Sequence, residues 1–283
     1  MTIPLGISLM PHGPVADLVG LARIAENLGC CRCWVYDEGL ATRDVYVAMT
    51  AVALATSTIR VGTGITNPYS RHPGTTASAI ATIDELSGQR AFVGIGAGGG
   101  MTLGPMGIER RRPVAAVEAM VGALRGLYAG EEVDVESEGF RFSVSPSRLR
   151  ARRHGDISGR PGSSHDRLGR PAGRWLCPDL GCTGPVGRHV AALRVAAKIH
   201  GRRFTIVWST MLVTTDADLW MARESLSFRL PDSPVAVKEM IGMTRTTQGL
   251  SVMLSVRVDH LPPPISSVRR GSRTSCLWVH RRR

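Results

Sequence analysis

Apolar positions in the first half of the chain switch back and forth between two periods. Residues 5–10 form a short apolar run closed by Pro11-His-Gly-Pro14. Residues 16–28 then set Val19, Leu21, Ala22, Ala25 and Leu28 at helical spacing, with Gly29 as the stop. The alternation repeats. Residues 33–36 predict a second strand, closed by Asp37-Glu38-Gly39, and Asp44 caps a helix through Val45, Ala48, Val52 and Ala55. Residues 59–65 predict a third strand that breaks at Asn67-Pro68, followed by a helix over 75–86 that ends at Ser87-Gly88. Residues 91–96 predict a fourth strand. After a long glycine-rich loop, Pro113 opens a helix through Val117, Met120, Val121, Leu124 and Leu127, stopped by Gly130.

Strict β-α alternation with apolar, non-alternating strands predicts a parallel sheet covered by helices, in either a doubly wound or a barrel arrangement. Polar residues gather just after strand ends: Asp37 and Glu38, then Thr66 and Asn67 with Arg71 and His72, then the glycine loop 96–100. In a (β/α)₈ TIM-type barrel those ends form one ligand-binding rim, which favours the barrel. Gly94-Ile-Gly96-Ala-Gly-Gly99 satisfies a dinucleotide-binding fingerprint. That fingerprint needs a helix starting at its last glycine, whereas the next periodic segment begins near Pro113, so the context argues against it.

Charge divides the chain in two. Residues 1–145 carry 11 arginines, no lysine and 14 acidic residues, a net of −3, and the remainder carries 24 basic and 9 acidic residues, a net of +15. Cys30, Cys31 and Cys33 crowd the end of a predicted helix, with Cys177, Cys182 and Cys276 far downstream. That spacing suits neither a disulfide framework nor a zinc site, and predicts reduced thiols in a cytoplasmic protein with no metal. The longest uncharged stretch, 91–108, holds seven glycines and a proline, which excludes a membrane helix.

Four stretches carry a family likeness: Tyr36-Asp-Glu-Gly-Leu-Ala-Thr-Arg-Asp-Val-Tyr46, Gly62-Thr-Gly-Ile-Thr-Asn-Pro-Tyr-Ser-Arg-His-Pro73, residues 77–90, and Gly94-Ile-Gly-Ala-Gly98. In that order, over about residues 3–142, the chain resembles the luciferase-like monooxygenase superfamily, and within it the methylenetetrahydromethanopterin reductase branch. The resemblance implies an oxidoreductase that moves a hydride between a small-molecule substrate and coenzyme F420, with FMN as the alternative cofactor. It places the ring across the barrel rim, against a third-strand bulge with a non-prolyl cis peptide, which maps here to Gly64–Ile65. The implied cofactor-binding residues are Asp37, Gly64, Ile65, Thr66, Asn67, Gly96, Ala97 and Gly98. Asp37 and Glu38 are the implied catalytic pair, although relatives usually carry His where this chain has Glu38. A homodimer formed through helices of the N-terminal half, including 44–56 and 75–86, is also implied.

The pattern does not continue past residue 145. Residues 146–189 hold nine Arg, five Pro and eight Gly but only six residues among Val, Ile, Leu, Met and Phe, a composition that predicts an irregular segment. Residues 190–243 regain periodicity, with a helix over 189–199 and a strand over 204–213. Residues 244–283 predict a basic, irregular tail. The reading is therefore a clear half-barrel over 1–145 followed by a degraded second half, which a coding frame shifted near residue 146, restored near 190 and shifted again near 244 would produce in arginine-rich coding, with loss of activity as one consequence. The alternative is a non-catalytic basic protein that binds nucleic acid through its arginine-rich C-terminal half. No aromatic interleaving accompanies that charge, which makes nucleic acid the weaker expectation.

Overall fold

The computed structural model describes residues 5–145 and, beyond them, Val195 and four strands at Ile157–Gly159, Trp175–Leu176, Thr205–Met211 and Ser275–His280. The first half alternates as read: β1 (Leu5–Leu9), α1 (Val15–Asn27), β2 (Arg32–Val35), α2 (Val45–Ala55), β3 (Arg60–Thr63), α3 (Pro73–Leu86) and β4 (Ala91–Ile95). A four-residue helix, α4 (Gly100–Leu103), and the long α5 (Pro113–Ala129) follow. The start of α4 directly after Gly99 differs from the expectation of an open loop to Pro113. The dinucleotide reading still falls, because the sheet closes on itself. Asp44 caps α2 as expected, its Oδ1 accepting from the amides of Tyr46 and Val47 at 2.9 and 3.1 Å.

The strands form a closed barrel, and the two edges that a half-barrel would leave open are both paired. β4 pairs with β7 (Ile157–Gly159), which leads through β8 (Trp175–Leu176) to β9 (Thr205–Met211), all parallel. β10 (Ser275–His280) then runs antiparallel to both β9 and β1 and completes the ring. The segments read as irregular, 146–189 and 244–283, thus each contribute barrel strands. Their runs are too short to stand out: β8 has two residues, and the apolar stretch of β10 is Cys276-Leu-Trp-Val279, set among arginines. The helix read over 189–199 lies outside the described residues, except for Val195.

One feature of the described half was not predicted. After α5, β5 (Val133–Ser137) and β6 (Phe140–Val144) pair as an antiparallel hairpin outside the barrel. The signal was in the sequence: Val133, Val135, Phe140, Phe142 and Val144 alternate with Asp134, Glu136, Arg141 and Ser143 around Glu138-Gly139. Val133 and Phe140 are buried against the helical layer.

Alternation along the barrel strands separates two cores. Cys33, Val35, Val61, Ala91, Val93 and Ile95 face outward to the helices in one continuous cluster. The inward positions form a row across the register, Ser8–Trp34–Gly62–Phe92. Trp34 and Phe92 meet edge to face, with ring centroids 4.5 Å apart and planes at 70°. A side chain at Gly62 would overlap the Phe92 ring, and a Cβ at Gly64 would sit 2.7 Å from that of Trp34. Glycine on β3 is therefore what allows two aromatic rings to fill the barrel interior.

At the N-terminal end of the strands, two charged side chains tie the loops together. Glu26, near the end of α1, accepts from the amides of Ser57, Thr58 and Ile59 at 2.9, 2.6 and 2.9 Å. Burial is the largest single influence and opposes its charge, but those bonds, with one from the Thr58 hydroxyl, together win and lower its carboxyl to about 2. Arg90 donates to the carbonyls of Ala53, Thr56, Ile59 and Ser87 at 2.7, 2.8, 2.7 and 2.7 Å, which satisfies the C-terminal end of α2.

Candidate active site

The C-terminal ends of β2, β3 and β4 converge on the rim, as a parallel barrel requires. Beyond β3 the chain stays bonded to β4: the Thr66 amide donates to the Gly94 carbonyl and the Gly96 amide to the Thr66 carbonyl, both at 2.9 Å. Thr63 bridges the same pair, its Oγ1 donating to Gly94 O at 2.7 Å and accepting from Gly94 N at 2.8 Å. The Gly64–Ile65 peptide is cis, as the resemblance implied.

Asp37, at the end of β2, is 4 % exposed, and both its oxygens are taken. Arg71 donates to them through Nε and Nη2 at 3.1 and 2.9 Å, and the Thr66 hydroxyl donates to Oδ2 at 2.8 Å. The remaining arm of Arg71 reaches Asp44 at 2.8 Å, and its guanidinium lies over the Tyr46 ring at 5.0 Å. Burial works against charge in this cluster. For Arg71 the two carboxylates outweigh it and push the guanidinium up, and for Asp44 the Arg71 and α2 amide bonds pull the carboxyl down. Arg71 is thus a strut joining the ends of β2 and β3 to the start of α2, while its neighbour His72 caps α3 by accepting from the Gly74 amide.

The predicted site residues divide into two layers. Thr66 and Asn67 are buried at 0 and 2 % exposure and bonded inward. Asn67 folds onto its own turn, accepting from the amides of Tyr69 and Ser70 and donating to Ser70 Oγ. Together with Asp37, Gly64, Gly96 and Ala97 they back the surface rather than form it. Ile65, Gly98 and Glu38 remain partly exposed in front of them. Glu38 accepts from Thr102 Oγ1 at 2.6 Å and has no cation partner among the described residues. Since Thr102 lies in α4, that bond links the ends of β2 and β4.

Three contributors were not singled out in the sequence. Thr102 follows the glycine run without periodicity to mark it. Arg110 donates to the Gly98 carbonyl at 2.7 Å and lies in the loop that separates α4 from α5. Tyr69 donates to the Arg111 carbonyl and borders the hairpin, whose Gly139 lies close against Pro68 and Tyr69. Cys30, Cys31 and Cys33 are free thiols at the opposite end, and burial, helped by Cys30, raises the Cys33 thiol to about 12. Cys177 and Cys182 lie outside the described residues. No helix among the described residues is long and apolar enough to cross a membrane.

Known proteins are similar to this chain in sequence and fold. The family model described as luciferase-like monooxygenase matches residues 2–228, a span that includes the arginine-rich segment 146–189. The 5,10-methylenetetrahydromethanopterin reductase of Methanolobus tindarius is 36 % identical over 152 residues, which is 54 % of this chain and 45 % of that one. The enzyme of the same name from Archaeoglobus fulgidus is 32 % identical over 255 residues, 84 % of this chain and 74 % of its own. The chain therefore spans less than half of the first relative and about three quarters of the second. In fold, it is similar to the coenzyme F420-dependent tetrahydromethanopterin reductase of Methanopyrus kandleri, with a TM-score of 0.75, 24 % identity, and coverage of 86 % of this chain and 76 % of that one.

Proposed function

This chain belongs to the luciferase-like monooxygenase family, and from that premise we propose that it is an F420-dependent oxidoreductase, with FMN as the competing cofactor. The observation that carries the reading is the two-layered rim: a surface of Ile65 and Gly98, poor in side chains, is held by a bonded layer and flanked by one carboxylate without a counter-ion among the described residues. Such a surface fits a flat ring. Gly98 is partly exposed, and a Cβ at Gly99 would meet nothing within 4 Å, so backbone stays open to a ligand. A deazaflavin or flavin ring bound there supplies the hydride chemistry. The chain's own task is positioning. Ile65 offers an apolar contact, and the glycine loop gives close backbone approach. Asp37, spent on Arg71 and Thr66, holds the wall in place. Glu38 is the proton-handling group at Oε1 and Oε2, and Thr102 fixes its rotamer.

The substrate is a small molecule, and the name of the relatives makes methylenetetrahydromethanopterin the first to try. Pairing of two copies through α2 and α3 is part of the same proposal. Val47 and Leu54, each 65 % exposed and two turns apart on α2, support it by offering an apolar stripe to a second copy. Light scattering on the eluted protein checks the assembly.

Fluorescence titration of the full chain with F420 and with FMN tests the central reading. Saturable quenching by F420 in preference to FMN is expected, followed by turnover of reduced F420 with methylenetetrahydromethanopterin. Absence of binding by either cofactor sinks the proposal.

A further inference from the structure

Rim arginines are in different states of compensation. Arg71 is shared between Asp37 and Asp44, and Arg111 is paired with Glu109 at 2.6 Å. Arg110 is exposed and makes a single hydrogen bond, from Nη1 to the Gly98 carbonyl at 2.7 Å, with no carboxylate partner among the described residues. That bond fixes a guanidinium at the partly exposed glycine of the rim while leaving its other N–H groups unassigned. The loop carrying it is also tied down, since Tyr69 donates to the Arg111 carbonyl and Tyr69 in turn packs on the hairpin turn at Gly139. A tethered, uncompensated guanidinium is a preorganised receptor for a planar or tetrahedral oxyanion, which it binds with two parallel N–H donors.

We propose that Arg110 is a specificity-determining residue that recognises an anionic group, phosphate or carboxylate, on the molecule occupying the rim. This rests on the reading of the rim as a ring-binding surface and adds to it a charge preference. The anion has two possible sources: the phosphate-bearing side chain of the cofactor, or an acidic group on the substrate. Both demand the same contact. Lysine at this position would keep the charge but lose the two-donor geometry.

The test compares wild type, Arg110→Ala and Arg110→Lys as full chains, with folding checked by circular dichroism. In the first arm each is titrated with two matched pairs: F420 against its phosphate-free deazariboflavin core, and FMN against riboflavin. In the second arm the same proteins are titrated calorimetrically with inorganic phosphate and with glutarate. If the cofactor carries the anion, Arg110→Ala loses about tenfold in affinity for the phosphorylated member of each pair and nothing for the neutral one, while Arg110→Lys recovers part of the loss. If the substrate carries it, the cofactor ratios stay unchanged, and wild type binds phosphate or glutarate whereas Arg110→Ala does not. An unchanged ratio in the first arm together with unchanged anion binding in the second overturns the proposal. Should wild type bind none of the four ring compounds, the rim reading fails instead, and the second arm alone decides the role of Arg110.

Discussion

The two ends of this barrel use the same residue types for opposite purposes. At the N-terminal end of the strands, Glu26 and Arg90 are bonded to capacity: three backbone amides converge on one and four backbone carbonyls on the other. At the C-terminal end, Glu38 and Arg110 each make one side-chain hydrogen bond among the described residues and keep spare donors or acceptors there. Asp37 and Arg71 stand between these cases, placed at the C-terminal end yet committed to structure. A charged residue whose bonds are all internal stabilises the fold, and one with unspent capacity is available to a ligand. Position at the rim alone does not separate them.

The sharpest way to break this comparison is to remove the two carboxylates of the Asp37-Glu38 pair one at a time. Asp37→Ala leaves the half-buried Arg71 with Asp44 alone, and urea denaturation should show a loss of about 3 kcal/mol. Glu38→Gln should leave the denaturation midpoint unchanged but slow turnover with reduced F420 by about 100-fold, the usual scale for loss of a general acid or base. If Glu38→Gln proved as destabilising as Asp37→Ala, the division into two layers would be wrong. Arg90→Ala uncaps α2 and should cost about 2 kcal/mol with cofactor affinity preserved, as read by denaturation and fluorescence titration together.

Glu26 has the smallest expected effect and the clearest pH signature. Its folded pKa of about 2 lies below the ordinary value of 4.5, so its contribution is complete above pH 4.5 and fades as the pH falls towards 2. Glu26→Gln should cost about 1 kcal/mol at neutral pH, because solvent screens a carboxylate this exposed, and should flatten the stability profile between those two values.

Legibility in the sequence followed how local the determining physics was. The four N-terminal strand–helix units, the Asp44 cap and the stop signals at Gly29, Ser87-Gly88 and Gly130 are set by neighbours a few residues apart, and all were readable. The hairpin of β5 and β6 is equally local, but its alternation breaks with the buried, non-alternating strands before it and so does not continue their pattern. What could not be read is the pairing of side chains across strands. Nothing within the sequence around Asp37 announces that Arg71, 34 residues on, will consume both its oxygens, or that Thr102 will hold the Glu38 carboxylate. The short strands β7, β8 and β10 were hidden for a related reason: a barrel already half built recruits two to six residues by their register, not by their periodicity.

The interlock of Gly62 with Phe92 restricts how this lineage can drift. Any side chain at 62 collides with the benzyl group opposite and with the Phe92 backbone carbonyl, 2.5 Å from where its Cβ would stand, so trimming 92 alone does not make room for it. Shrinking 92 first opens a void against Trp34, which is itself disfavoured. Gly62 is therefore held by backbone as well as by the ring it faces, and descendants of this chain should keep glycine there even where 92 has changed.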